Sequence, residues 1–178
     1  MYKFFLRRKI KKILNLSERK KAYLNLKEIN FILVLFDTEH FDDSNYFIHQ
    51  MINMGKKMRV IAYKSNKDTN DYSNIPYTIV TEKDMKNLRS DSLVQITNSL
   101  NEEKYDLVVD LTLKENLLLL YLLVSANSPL KVGFYKYTLP VHDMVISFAP
   151  GLVQNIKELG NQLIHYLTVI SSDQKSAY

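Results

Sequence analysis

From residue 25 onward, short apolar runs alternate with stretches whose apolar residues keep helical spacing. Residues 29–36 (INFILVLF) show no polar alternation, which is typical of a strand buried on both faces of a parallel sheet. Later runs are also predicted as strands, over residues 58–63, 77–80, 105–111, 131–135 and 143–148. Helices are predicted over residues 43–54, 91–103, 115–126 and 152–170.

This alternation predicts the fold class. Strands that alternate with helices form a parallel sheet with helices on both faces, because right-handed crossovers place them there. We therefore expect an α/β, three-layer, doubly wound, mostly parallel, Rossmann-like domain over residues 25–172, followed by a flexible tail at 173–178. A loop rich in Asn, Asp and Ser at residues 64–75 replaces the helix expected between the second and third strands, so that edge of the sheet should be irregular.

Residues 1–24 carry a different pattern, a helix with an apolar and a basic face and then a polar connector. With a turn of about 100° per residue, one face of residues 2–14 is apolar and the opposite face is cationic. The apolar face consists of Tyr2, Leu6, Ile10, Ile13 and Leu14. The cationic side chains are Arg7, Arg8, Lys9, Lys11 and Lys12. The pattern predicts a basic amphipathic helix that docks on a surface.

The positive charge of the chain is concentrated in that segment. The first 21 residues hold nine Lys and Arg against Glu18 alone, a net +8, so the remainder, with 15 basic and 18 acidic residues, has −3 and the total is +5. Such an asymmetry indicates an anionic partner. The leading hypothesis is a non-enzymatic protein that docks on RNA or the ribosome. Two alternatives stay open: attachment to an anionic membrane surface, and packing of the apolar stripe on the chain's own domain or on a second copy in a homo-oligomer.

Composition further narrows the classes of protein and of site that the chain could form. A length of 178 residues with 46% apolar and 24% charged residues is typical of one globular domain. The chain has no cysteine, which excludes a disulfide framework, a thiolate zinc site and a cysteine nucleophile. Charged residues interrupt every early apolar run, and the longest later run, 117–126, is shorter than the ~18 residues of a membrane span. We expect a cytoplasmic protein, peripheral to the ribosome or a membrane.

Candidate chemistry lies at the strand ends, where ligands bind in open parallel sheets. If the strands at 29–36 and 105–111 are neighbours, Asp37 and Asp110 emerge side by side as weak catalytic candidates, with Gly133 permitting close approach of a ligand or a helix. The residues predicted to line a pocket are Asp37, Thr38, Glu39, Asp110, Thr112 and Gly133. This gives a third hypothesis, a small-molecule- or nucleotide-binding enzyme. Its alternative is that both aspartates only cap the turns that follow.

Two kinds of site are not expected. The turn after the first strand, residues 37–45, contains no glycine, whereas a dinucleotide site requires glycines there for close approach of the pyrophosphate. His40, His49, His142 and His165 lack metal-ligand spacing. We therefore expect no dinucleotide, no metal and no other cofactor.

Several segments together resemble an uncharacterised bacterial family, a domain of unknown function of the Bacteroidetes type. The segments are residues 31–37 (FILVLFD), 55–63 (GKKMRVIAY), 105–111 (YDLVVDL), 131–134 (KVGF), 143–146 (DMVI) and the end of the closing helix at 165–167. None is a catalytic signature, so the resemblance implies a family and no activity. Residues 105–134 are also similar to the acceptor half of heptosyltransferase-like glycosyltransferases. That similarity implies the same fold, and it argues against transferase activity, since the nucleotide-sugar site of those enzymes lies mainly in a second half for which this chain has no room.

Overall fold

A parallel sheet organises the chain, whose computed structural model describes residues 2–134, 136–147 and 155–170. The strands are β1 (Phe31–Asp37), β2 (Lys57–Lys64), β3 (Thr78–Thr81), β4 (Leu107–Asp110), β5 (Leu130–Phe134) and β6 (Met144–Ile146). The helices are α1 (Tyr2–Leu16), α2 (Phe41–Asn53), α3 (Glu82–Lys86), α4 (Asp91–Glu102), α5 (Leu117–Ser125) and α6 (Ile156–Val169), and a 3₁₀ turn (Thr38–His40) joins β1 to α2.

The strand order is β3-β2-β1-β4-β5-β6, and each pairing in the described residues is parallel. The predicted doubly wound, Rossmann-like fold is therefore confirmed. Strand β1 lies between β2 and β4, and the direction of winding reverses there, which makes the gap between β1 and β4 the switch point of the sheet. Leu35 of β1 stands opposite Asp110 of β4.

The sheet has a hydrophobic core on each face. Alternate residues of β1 point to opposite faces, so Leu33 and Leu35 join one core while Val34 and Phe36 join the other. Helices α2 and α6 cover the second core, and α4, α5 and α1 cover the first. Because α5 lies between the sheet and two other helices, its residues 117–124 are all buried, as the leucine run predicts.

Helix α1 packs on α5 through its apolar stripe, in which Leu6 and Ile10 are fully buried. The apolar stripe therefore packs on the chain's own domain, and this packing leaves the cationic side chains of the helix exposed. The connection from β5 to β6 has no helix within its described residues 136–143. Tyr137 and Val141 of that connection share the core of α1. Helix α1 therefore forms an outer layer over α5 and the β5–β6 connection.

The connector after α1 is fixed to the body of the protein. Arg19 donates to both carboxylate oxygens of Asp143, at 2.7 and 2.8 Å, and to the carbonyls of Ser128 and Pro129. The backbone N–H of Ala22 also donates to the Pro129 carbonyl at 3.1 Å. The start of the chain is therefore held at the amino end of β5.

The predicted element bounds shift by a few residues. Helix α5 begins at Leu117 because the side chain of Asn116 accepts from the N–H groups of Leu118 and Leu119. A capping box of Thr81 and Asp84 starts the short helix α3. The ends of the predicted elements at 135, 148 and 152–154, and the tail at 173–178, lie outside the described residues.

Candidate functional site: the strand ends and the basic face of α1

Asp37 and Asp110 both lie at the carboxyl edge of the sheet, in different surroundings. Since Leu35 is the residue opposite Asp110, Asp37 lies two residues farther along the strand direction. Asp110 is 1% exposed, whereas Asp37 is partly exposed and lines a cleft. The structure thus separates the two carboxylates that the sequence pairs.

Asp110 is the centre of a buried ionic network. Its Oδ2 lies 2.8 Å from Lys136 Nζ and 3.2 Å from His142 Nε2. Its Oδ1 accepts from the backbone N–H and the hydroxyl of Thr112, at 3.0 and 2.6 Å. Burial acts to raise the pKa of Asp110, but Lys136 and His142 outweigh burial and hold that pKa well below its usual value. Asp110 is therefore an ionised structural anchor for the β5–β6 connection.

Gly133 of β5 contacts His142, a member of the same network. A Cβ at this position would lie 2.3 Å from Nε2 of His142, far inside contact distance. The glycine therefore lets an imidazole, and not a ligand or a helix, approach the strand closely.

Asp37 opens into a cleft of about 410 Å³ at the carboxyl ends of β1 and β4. We call it the strand-end cleft and define it by six polar residues. They are Lys3, Arg7, Asp37, Tyr63, Ser65 and Asn116. Met85, Leu113 and Leu117 add apolar surface. The cleft combines cations from α1, hydroxyls from the end of β2 and the Asp37 carboxylate of β1, and it is also lined by Glu39, His40, Lys114 and Glu115.

The electrostatics of the cleft centre on Asp37. Burial raises the pKa of Asp37, and the Glu39 N–H, which donates to its Oδ1 at 3.2 Å, opposes that rise. Burial, and then the fields of Glu82 and Asp37, raise the pKa of the Tyr63 phenol. Tyr63 stands directly opposite Asp37 in the β1–β2 pairing. A hydroxyl and a carboxylate therefore face the same space.

The other predicted pocket residues divide between the cleft and its surroundings. Glu39 and Thr112 line the cleft; Glu39 also pairs with Lys114 at 3.5 Å in an exposed position. The buried hydroxyl of Thr38 turns away and donates to Asp68 in the loop after β2. Asp110 and Gly133 belong to the buried network and lie outside the cleft lining.

The basic face of α1 comprises Arg7, Arg8, Lys9, Lys11 and Lys12, and all of these residues are exposed. Within the described part of the chain, Arg7 alone among them has a carboxylate in ion-pair range, Glu115 at 3.5 Å. Phe4 and Phe5 on the same helix are 68% and 51% exposed. The helix thus presents cations and aromatic rings outward while its apolar stripe is buried.

Metal-ligand clusters and membrane-spanning helices are both absent from the described residues. No three histidine, aspartate or glutamate side chains converge there as metal ligands. In the same ranges, no helix has the length and apolar character needed to cross a bilayer.

A family model described as a family of unknown function, DUF6913, matches residues 3–170. The chain belongs to this family. The match confirms the predicted family of unknown function, and nothing supports the similarity to heptosyltransferases. The match begins at Lys3, so α1 and its basic face lie within the DUF6913 domain. No curated protein matches the chain in sequence.

A solved structure resembles the DUF6913 chain in fold. It is the crystal structure of an exopolyphosphatase-related protein from Bacteroides fragilis, with a TM-score of 0.52 at 14% sequence identity. The likeness covers 80% of this chain and 41% of that chain, so this chain spans less than half of the other protein's length. At this identity the likeness shows the fold alone.

Several residues of the strand-end cleft and of the Asp110 network were not predicted from the sequence. Tyr63 follows from the strand order, since β2 ends beside β1, but Lys3 and Asn116 reach the cleft only through the packing of α1 and the cap of α5. Lys136 comes from an irregular connection and carries no periodic signal. The Gly133–His142 contact had one sequence signal, a glycine inside a strand pattern.

Proposed function

We propose that this protein is a non-enzymatic, cytoplasmic RNA-docking protein whose basic face of α1 binds the phosphate backbone of RNA, with the ribosome as its main partner. One observation carries the proposal: α1 is anchored by Leu6 and Ile10 in the core while its Lys and Arg side chains point to solvent. A fixed helix presents its cations with little ordering cost on binding.

The charge distribution supports this proposal. Outside the first 21 residues the chain carries 15 basic and 18 acidic residues, so a polyanion is attracted to α1 and weakly repelled elsewhere. Cations that neutralise phosphates release condensed counterions, which makes binding strongest at low salt. Arg7 pairs with Glu115 and Lys9 lies over the Tyr121 ring. Within the described residues, Arg8, Lys11 and Lys12 have neither kind of contact, so they are the members of the basic face most available to phosphate.

The packing of α1 favours RNA over a membrane. An amphipathic helix binds lipid by laying its apolar face into the bilayer interface. Here that face is buried against α5, so lipid binding of this kind requires α1 to leave the core and expose the leucines of α5. RNA needs only the outward, basic face, which is exposed in the folded protein.

The test is charge reversal on the folded protein, with fluorescence anisotropy on labelled RNA across a salt series. The variant Arg8→Glu, Lys11→Glu, Lys12→Glu is compared with Lys27→Glu, Lys67→Glu, Lys157→Glu, which makes the same change in net charge at exposed positions away from α1. The α1 variant should lower the slope of log K against log salt by about 2–3, at roughly 0.7–0.9 per lost phosphate contact. The slope for the control variant should differ from the wild-type slope by no more than the effect of about one phosphate contact.

Pelleting with purified ribosomes at low salt and with vesicles containing phosphatidylserine completes the test. Loss of both RNA binding and ribosome pelleting in the α1 variant alone supports the proposal. Equal RNA affinity for the two triple variants contradicts it. Vesicle binding that depends on α1 without any RNA binding also overturns it, in favour of the membrane.

A further inference from the structure

We infer, building on the proposed function, that the strand-end cleft receives one unpaired ribonucleotide of the RNA bound along α1, with Asp37 accepting a hydrogen bond from its ribose. The inference names a second part of the same binding surface and the class of RNA that it takes. It concerns binding only, since no reacting group is assigned.

The cleft and the basic face are continuous. Lys3 and Arg7 line the cleft, and Arg7 also belongs to the basic face. Lys3, Arg7 and Lys11 are spaced by four residues, so their cations follow one another at about 6 Å along one side of the helix. A phosphate backbone that follows this row reaches the mouth of the cleft.

The lining of the cleft suits a nucleoside. Met85, Leu113 and Leu117 give apolar surface for a base, and the rest of the lining is polar or charged, which suits a ribose and its phosphate. The volume of about 410 Å³ lies in the range of small-molecule sites, which run from about 300 to 1,000 Å³. The site also lies at the switch point between β1 and β4, where open α/β sheets bind ligands.

Asp37 selects ribose over deoxyribose in this arrangement. An ionised carboxylate only accepts hydrogen bonds, so it matches a hydroxyl and repels a phosphate. A 2′-hydroxyl is the group by which a protein distinguishes RNA from DNA at a single position. The phosphates therefore lie toward Lys3 and Arg7, on the α1 side.

This placement differs from a dinucleotide site. In that site a glycine-rich turn lets the pyrophosphate reach the helix that follows the first strand. Here the turn after β1 is the glycine-free segment Thr38–His40, and Glu39 adds a negative charge beside it. The α2 side of Asp37 is therefore unsuited to phosphate, and the cations on the α1 side take that role.

The exposed rings of α1 favour unpaired nucleotides over a duplex. Phe4 and Phe5 lie next to Lys3, with ring centroids 6.0 Å apart. Exposed aromatic rings beside cations are the stacking platforms of proteins that bind single strands without sequence preference. A duplex keeps its bases stacked inside and gains nothing from these rings.

The experiment measures anisotropy of a short single-stranded RNA and of the DNA of the same sequence. The variants are Asp37→Asn and Tyr63→Phe in the cleft, with Asp91→Asn as an exposed control outside it. Wild-type protein should prefer the RNA, and Asp37→Asn should lower the ratio of RNA to DNA affinity by up to about tenfold, since the charge-assisted hydrogen bond from the ribose becomes a neutral one to the amide oxygen. Asp91→Asn should behave as wild type.

Saturation-transfer NMR with AMP and dAMP tests the cleft without reference to α1 docking. A ratio of RNA to DNA affinity that Asp37→Asn leaves unchanged overturns the inference, and the proposed function then still stands on the α1 variants. A different outcome would be an AMP signal that Asp37→Asn abolishes while charge reversal on α1 leaves RNA binding unchanged. That outcome overturns the proposed function but supports nucleotide binding in the cleft. Tyr63→Phe should weaken AMP binding, and retention of full binding in both cleft variants overturns the inference.

Discussion

The carboxyl ends of β1 and β4 carry the same side chain in opposite settings. At the end of β4, Asp110 is enclosed with Lys136 and His142 and is fully hydrogen-bonded. At the end of β1, Asp37 faces a cleft and accepts one backbone N–H at 3.2 Å. The difference lies in the connections: the β5–β6 connection folds over β4 and covers Asp110, whereas the cleft between α1 and the strand ends leaves Asp37 open.

This contrast separates a carboxylate that is enclosed in the structure from one that is open to a ligand. A buried charge whose partners are all supplied by the protein has no remaining capacity for a ligand. Asp37 has no ion pair within the described residues, and a carboxylate that burial makes costly is the kind of group that functional sites retain. Three changes test the contrast.

Asp110→Asn should have the largest effect. It keeps the shape of the side chain but leaves the Lys136 ammonium buried without a counter-charge, which should lower the free energy of unfolding by about 3–5 kcal/mol. Urea unfolding measures the loss. Glu39→Gln, which breaks the exposed pair with Lys114, is the control and should change stability by less than about 1 kcal/mol. Equal effects of the two substitutions would show that the Asp110 network is not the stronger anchor.

Gly133→Ala should be next in size. The new methyl group displaces His142 from Asp110, at a cost of about 1–3 kcal/mol for overpacking. In a double-mutant cycle, His142→Ala should remove most of this cost, because it removes the atoms that the methyl group meets. If the two substitutions destabilise the protein additively in urea unfolding, the close contact with His142 is not the reason why position 133 requires glycine.

Asp37→Asn should have the smallest effect, and it should be stabilising. Burial raises the pKa of Asp37, so the ionised side chain costs stability at neutral pH. That cost appears as the pH rises from the unfolded value of 3.8 through the folded pKa, and it vanishes at lower pH, where the group is protonated in both states. The gain in Tm over wild type should therefore be seen at pH 7 and be absent at pH 3. A lower Tm at pH 7 would make Asp37 a structural residue like Asp110.

The sequence predicts the fold far better than it predicts the site. Buried strands such as β1 carry an uninterrupted apolar pattern that depends on local residues alone, and the order of strands and helices then limits the topology. Asp37 and Asp110 look alike at that level, since each is a polar residue that ends an apolar strand. Their difference arises from Lys136, His142 and Lys3, which approach from distant segments without a periodic signal.

The same limit applies to α1. Its apolar stripe and basic face are evident from helical spacing, but the stripe packs on α5 and on the β5–β6 connection, which are distant in sequence. A pattern in residues 2–14 cannot reveal which distant segments the stripe contacts.

The packing of α1 on α5 also sets an order of events during synthesis. Helix α1 is made well before its partners α5 and the β5–β6 connection, and the Arg19–Asp143 bond spans 124 residues. Closing so long a loop is slow relative to local helix formation. During synthesis the cationic segment therefore stays undocked until α5 and the β5–β6 connection have been made, and its fixed, outward-facing form appears only then.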